Sequence, residues 1–312
     1  MTQQINLIEV SKGEKFELFL LIRKVEFKQN KNNKTYVALE LGDKSGSLPA
    51  NLWDNFSSFV NYLKIGEILF IEGMIEDYQG QNQIKVEKFR LRKDSENISP
   101  QDFLPVSLRD AKIMKAEFSE RVEKITNTFL LELIKNIFTS ERFEKYTKAP
   151  AGKAWHHAYI GGLLEHTLEM VKLADTISDL HPDLDRDLLI TGVLLHDLGK
   201  TIELSYETAF EYNDYGRFLG HIYIGASLVE EEIKKIPNFP EMLRLKIIHL
   251  ILAHQGKLEH ASPVTPKTVE AIALYHIDEL SAKVNAYKNA IKSDTGMRSE
   301  ERRVGKECRS RW

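Results

Sequence analysis

Cysteine is all but missing from this chain: among 312 residues there is one, Cys308. It sits in the C-terminal stretch RSEERRVGKECRSRW, Arg298 to Trp312, which is dense in arginine and has no helical period. That stretch reads as the in-frame translation of a sequencing-library adapter, so residues 298–312 are expected to be foreign to the fold and the native sequence after about residue 297 is left open. The remainder therefore offers neither disulfides nor thiolate metal ligands. Long apolar runs are also missing, and none approaches the ~20 residues of a membrane-spanning helix. The start, MTQQINLIEVSKGEKF, lacks the basic and apolar parts of a signal peptide, so the expected location is the cytoplasm, with no membrane partner. Neither sign of charge dominates, with 43 Lys and Arg against 46 Asp and Glu. Any nucleic-acid contact must then come from local clustering of charge. Hydrophobic content of 42% and charged content of 29% are those of an ordinary globular protein.

The length suits two domains, each with its own core. From Gly13 to about Lys93 short strand patterns alternate with turn signals at Asn30 to Asn33, Asp43 to Gly46 and Gln79 to Asn82. Five β segments, with a helical break around Phe56 to Leu63, predict a small Greek-key barrel and resemble an OB-fold. Such barrels hold single-stranded nucleic acid by stacking bases on aromatics while a basic groove follows the backbone. The candidate stacking residues are Tyr36, Trp53, Phe56 and Tyr78; the candidate backbone contacts are Arg23, Lys28, Lys31, Lys34, Lys85 and Lys88. The bland alternative is that the aromatics are core and the lysines solvate exposed strands. DSENISPQDFLPVS, with Pro100 and Pro105, breaks both periodicities as a linker does. Helical spacing then predicts helices in SLRDAKIMKAEFSERVEKITN and FLLELIKNIFTSERFEKYTKAP.

Asp187 to Lys200, DLLITGVLLHDLGK, is an apolar run ending in His196-Asp197. Leu188, Leu189, Val193, Leu194, Leu195 and Leu198 make a surface too wide for a solvent-facing helix, so the polar pair must meet something that offsets its desolvation. A metal ion would do so. Gly199 is expected to stop the helix in the left-handed conformation, leaving Lys200 beside the pair where an anionic substrate could meet it.

His166 lies in the helical pattern GLLEHTLEMVKLADTI, His221 opens a third such segment, His254 lies near the end of a fourth and Asp278 lies inside a fifth, AIALYHIDELSAKV. This ordered series of His, His-Asp, His, His and Asp, with HDLGK and GGLLEHT, resembles the HD-domain metal-dependent phosphohydrolases over about residues 150 to 290. The resemblance implies a divalent-metal centre. His166, His196, Asp197 and Asp278 would complete one site; Asp197 would be shared, with His221 and His254 holding a second ion. Imidazole and carboxylate without sulfur suit manganese, iron, cobalt, nickel or zinc, with magnesium also open. The resemblance favours manganese. His196, Asp197 and Lys200 are the expected catalytic group. His156 and His157, just before Gly161-Gly162, are candidates for hydrogen bonding a phosphate, against the reading of backbone-satisfied histidines at a helix start. Gln255 stands where some relatives carry a second histidine.

A barrel, a linker and an HD domain carrying HHAYIGGLLEHT, HDLGKTIELS and YHIDELSAKVNAY together resemble the YhaM family of 3′→5′ exoribonucleases. The fold class implied is multidomain: a five-stranded OB-type barrel in residues 1–94, a linker and helical connector in 95–149, and an all-α HD bundle in 150–297. The leading expectation is a 3′→5′ exoribonuclease acting on single-stranded RNA, with single-stranded DNA left open. The alternatives are an HD phosphohydrolase of nucleotides or cyclic dinucleotides with a regulatory barrel, and a non-enzymatic single-strand-binding protein. Homo-oligomerisation is left open.

Overall fold

The computed structural model describes residues 5–293. The stretch Arg298 to Trp312, expected to be foreign, lies outside the described residues. The chain divides into two compact units, one running to Val106 and including Ser205–Glu211, the other comprising Ser107–Leu204 and the chain from Tyr212 onward.

The first unit is a closed barrel of β1 (Lys15–Gln29), β2 (Thr35–Asp43), β3 (Gly46–Leu52), β4 (Ile68–Tyr78) and β5 (Gln81–Leu91), in the order β1-β2-β3-β5-β4. The neighbours pair antiparallel except β3 and β5, which run parallel with Ala50 opposite Ile84. Alternation sets the inward face: Phe16, Leu18, Leu20 and Ile22 of β1 are buried with Val37, Leu39 and Leu41 of β2 and Ile71 and Ile75 of β4. At Glu72/Gly73 of β4 the register shifts by one extra residue in β5, Glu87, and there a Cβ on Gly73 would come within 2.5 Å of the Lys85 carbonyl. The expected helical break is a 3-10 turn at Ser57–Tyr62. The linker stretch forms two further 3-10 turns, Asp94–Glu96 and Pro100–Phe103, the second capped by the Ser99 hydroxyl.

The second unit is helical. Three helices precede the metal-ligand series where two segments were expected: α1 (Ala111–Glu123), α2 (Thr128–Ile137) and α3 (Ser140–Lys148). Asp110, Asn127 and Thr139 cap their N-termini by accepting from backbone amides. Then come α4 (Gly162–Leu180), α5 (Arg186–Leu195), α6 (Lys200–Glu203), α7 (Asp214–Ile233), α8 (Glu241–Ala253) and α9 (Val269–Ser293). Helix α5 is the buried axle: Leu188 through Leu195 are all buried, and Gly192 lets Leu250 of α8 approach. Among the described residues no helix is long and apolar enough to cross a membrane.

Candidate metal centre

Two of the candidate histidines close helices. His196 and His254 are the C-terminal caps of α5 and α8. The last carbonyls of a helix have no partner inside it. Here the Val193 carbonyl lies 2.8 Å from Nδ1 of His196, and the Ile251 carbonyl 2.7 Å from Nδ1 of His254. A carbonyl can only accept, so both rings carry the proton on Nδ1 and turn the Nε2 lone pair inward.

The other two imidazoles reach the same tautomer by different routes. His221 follows Gly220, whose φ of 70° and ψ of 152° kink α7. Its Nδ1 lies 3.3 Å from Oε1 of Glu203, which also accepts from the His221 amide at 3.1 Å. His166, inside α4, has its Nδ1 3.0 Å from the Ser281 hydroxyl of α9. Ser281 gives its single proton to Oε2 of Glu169 at 3.0 Å, so toward His166 it accepts.

Asp197 stands between these rings. Its Oδ2 lies 3.2 Å from Nε2 of His196 and 2.7 Å from Nζ of Lys200; its Oδ1 lies 3.4 Å from Nε2 of His221 and 3.7 Å from Nε2 of His254. Asp278 contributes Oδ1, 3.2 Å from Nε2 of His166. The ligand atoms of His166, His196 and Asp197 all lie within 4.8 Å of one another, as do those of Asp197, His221 and His254. Nε2 of His166, His196 and His221 and Oδ1 of Asp197 are buried with no hydrogen-bond partner. An unsatisfied buried polar atom costs about 1–3 kcal/mol. Four that converge are the signature of a cation-binding cluster, and imidazole with carboxylate suits a divalent transition ion. The residues fit such a group. Nε2 of His254 is different, because the Gln255 side-chain amide lies 3.1 Å from it.

The charges agree with this geometry. Burial disfavours the Asp197 carboxylate, but Lys200 and then His196 outweigh it and hold its pKa well below the usual range. Burial likewise opposes ionised Asp278, and the His166 ring 3.2 Å away, then His196, override it downward. Against burial, Asp197 raises the Lys200 ammonium and the His196 imidazolium. Burial first, then His196, lowers His254 to about 4; burial also lowers His166. At neutral pH the cluster therefore combines ionised carboxylates, a protonated lysine and neutral imidazoles at His166 and His254.

Gly199 departs from expectation. It is right-handed, with φ −62° and ψ −21°, so it does not stop the helix by a left-handed turn. A glycine is needed for proximity: a Cβ there would lie 2.0 Å from the His221 carbonyl.

The adjacent histidines separate. Both ring nitrogens of His156 are buried without a partner, and its ring centre is 5.3 Å from that of His166. Burial, then Lys200, lowers it to about 2. His157 is fully buried, with Nε2 3.2 Å from Oε2 of Glu169 and its amide donating to Asn285. Its φ of 42° lies in the left-handed region. The close approach expected at Gly161-Gly162 is of backbone, since a Cβ on Gly162 would lie 2.0 Å from the His157 carbonyl. Glu169, Ser281 and Glu203 were not singled out in the sequence. A signal existed: Glu169 follows His166, and Ser281 follows Asp278, at the three-residue spacing that shares a helix face.

On the barrel, Tyr36 and Trp53 stack with ring centres 4.6 Å apart at 23°, and Trp53 is half exposed. Tyr78 is exposed at the end of β4, whereas Phe56 is buried in the barrel core. Lys31 is exposed in the β1–β2 turn; Lys34 pairs with Asp54, Lys28 with Glu26 and Lys88 with Glu72. Arg23 donates to the carbonyls of Asp43 and Phe103, inside the unit's own scaffold.

Residues 163–283 match the HD domain family model, and residues 21–92 match a family model described as an OB-fold nucleic acid binding domain. Curated relatives include a 3′-5′ exoribonuclease YhaM of Listeria welshimeri, 34% identical over 97% of this chain and 96% of that protein. Another, from Bacillus licheniformis and of the same name, is 36% identical over 93% of this chain and 91% of that one. Among solved structures, a domain of replication protein A from Methanococcus maripaludis covers 30% of this chain and 99% of its own, at 20% identity and a TM-score of 0.25.

Proposed function

The chain belongs to the YhaM family of 3′-5′ exoribonucleases, and from that premise we propose that it shortens single-stranded RNA at a centre built on His166, His196, Asp197, His221, His254 and Asp278. The observation that carries this reading is the convergence of buried, unpartnered Nε2 and Oδ1 atoms around Asp197. Two groups of candidate ligands share Asp197, which supports two ions. His166, His196, Asp197 and Asp278 would hold one, and Asp197, His221 and His254 the other, with manganese favoured. Such ions supply charge neutralisation at the phosphodiester and a more acidic water.

The chain's own groups complete the chemistry. Lys200, anchored on Asp197 at 2.7 Å, keeps a positive charge beside the cluster and stabilises charge developing on the phosphoryl oxygens. His156, with unpartnered ring nitrogens, donates a hydrogen bond to a phosphate oxygen. His157 acts indirectly, steadying Glu169 and through it Ser281 and His166. The barrel grips the strand by stacking a base on the Tyr36–Trp53 pair, with Tyr78 and Lys31 as further contacts. Such a substrate is met in the cytoplasm, the proposed location.

The test is a degradation ladder on RNA labelled at its 5′ end, with manganese, magnesium or chelator. Progressive shortening that requires metal is the expected result. Internal cleavage, or shortening that persists in chelator, would overturn the reading.

A further inference from the structure

The cluster meets solvent at an edge formed by three of its side chains. The side chains of His166, His196 and His254 are 0% exposed and that of Asp197 is 2%, while Lys200 reaches 10%, Asp278 14% and His221 18%. A polymer end must therefore arrive past His221, Asp278 and Lys200.

The chain leading to His221 is built against that edge. Asn213 donates through its side chain to the Ile202 carbonyl and through its amide to that of Glu203, and its Oδ1 caps α7 at Gly216. Gly216 fits so closely that a Cβ would lie 2.5 Å from the Glu203 carbonyl. The first half of α7 is thus clamped onto α6, the short helix that begins with Lys200. Its outward side chains are unusual for a solvent-facing helix: Tyr215 is 64% exposed, Phe218 84% and Leu219 48%, with Tyr223 at 59% beyond the kink. Arg217 is also exposed, to one side of that face, and makes no ion pair among the described residues. Glu203 ties this segment to the cluster, since its carbonyl faces Gly216 while its carboxylate accepts from the His221 amide, so the residues between them lie beside His221.

We propose that this aromatic surface, centred on Tyr215 and Phe218 with Arg217 on its flank, is a nucleotide subsite that stacks a base of single-stranded RNA as its end approaches the metal cluster. Aromatic faces accept any base, which suits an enzyme that must advance through arbitrary sequence. Arg217 adds a charge for the backbone phosphate and a plane on which a base can also stack. The continuity of this surface with the open edge favours RNA over a protein partner. The inference rests on the exoribonuclease reading but is tested separately, since the metal-dependent ladder of the wild-type protein decides that reading and only the variants decide this one.

Phe218→Ala and Arg217→Ala are expected to raise KM for a short single-stranded RNA about tenfold, with the loss confined to KM and manganese content unchanged. Phe218→Trp, which keeps a stacking face, should restore the wild-type KM, whereas Phe218→Leu should not. An unchanged KM in both alanine variants overturns the subsite, as does a fall in manganese content together with kcat. So does a change in native mass with KM unaltered, which would mark the surface as an interface between copies.

Discussion

The hydroxyl of Ser281 lies 3.0 Å from Nδ1 of His166, joining α9 to α4 at the metal cluster. Because that hydroxyl also donates to Glu169, the relay fixes which nitrogen of His166 is free. Ser281→Ala should lower manganese affinity about 10–100-fold, with rate recovered at high metal, because the ring loses its orientation. Glu169→Gln should act in the same direction. Calorimetric titration of both variants checks this, and wild-type affinity in Ser281→Ala would remove the relay.

Lys200 is buried against Asp197, so the pair should behave unequally when broken. Asp197→Ala should abolish RNA shortening and also destabilise the protein by about 3 kcal/mol, since a buried ammonium loses its partner. Adding Lys200→Met should recover the stability but not the activity. Denaturant melts in chelator distinguish this from a simple ligand loss, in which the second substitution would recover nothing.

Gln255 competes for the lone pair of His254. If two ions bind as proposed, Gln255→Ala should therefore tighten the one at His254, seen as a higher bound metal stoichiometry at limiting manganese, while the one at His166 is held as before. Equal or lower stoichiometry would show that the amide helps the site.

Acid should weaken the helical unit before its carboxylates titrate. His254, lowered to about 4, and His156, lowered to about 2, stay neutral in the folded chain while the unfolded chain binds protons below the ordinary 6.5. Stability then rises with pH across this window and falls on acidification. His196 opposes this: its raised pKa contributes stability below 6.5 that is lost as pH climbs through the folded value. Asp197 and Asp278, both lowered, keep their contribution until the pH is below the ordinary 3.8. With His166 lowered as well, the neutral histidines outnumber the raised one. Tm in chelator should drop between neutral pH and pH 4; a Tm that climbs would refute the assignment.

Trp53→Ala should raise KM for long RNA about tenfold, the order for one lost stacking surface, and leave very short RNA nearly untouched. Lys31→Glu should act alike and flatten the salt dependence, because fewer counterions are released. Equal loss on both lengths with a lowered Tm would make Trp53 a structural residue instead.

The sequence by itself determined what depends on near neighbours. Alternation in FELFLLI orients one face of β1 inward, and the apolar run DLLITGVLL reads as a buried helix, so the barrel, the bundle and the His-Asp pair at the end of α5 were all readable. Tertiary structure decided what depends on distant backbone. Tyr36, Trp53 and Phe56 read alike as aromatics among strands, yet packing left Trp53 stacked at the surface and drew Phe56 into the core. Arg23 read as a free cation until folding brought the Phe103 carbonyl to it. Gly199 read as a helix stop, but its reason is the His221 carbonyl that only the packing of α7 delivers. Glu169 and Ser281 each share a helix face with a ligand, a period the sequence displays. Their partnership exists only because α4 and α9 pack together, and no local propensity encodes which faces of two remote helices will meet.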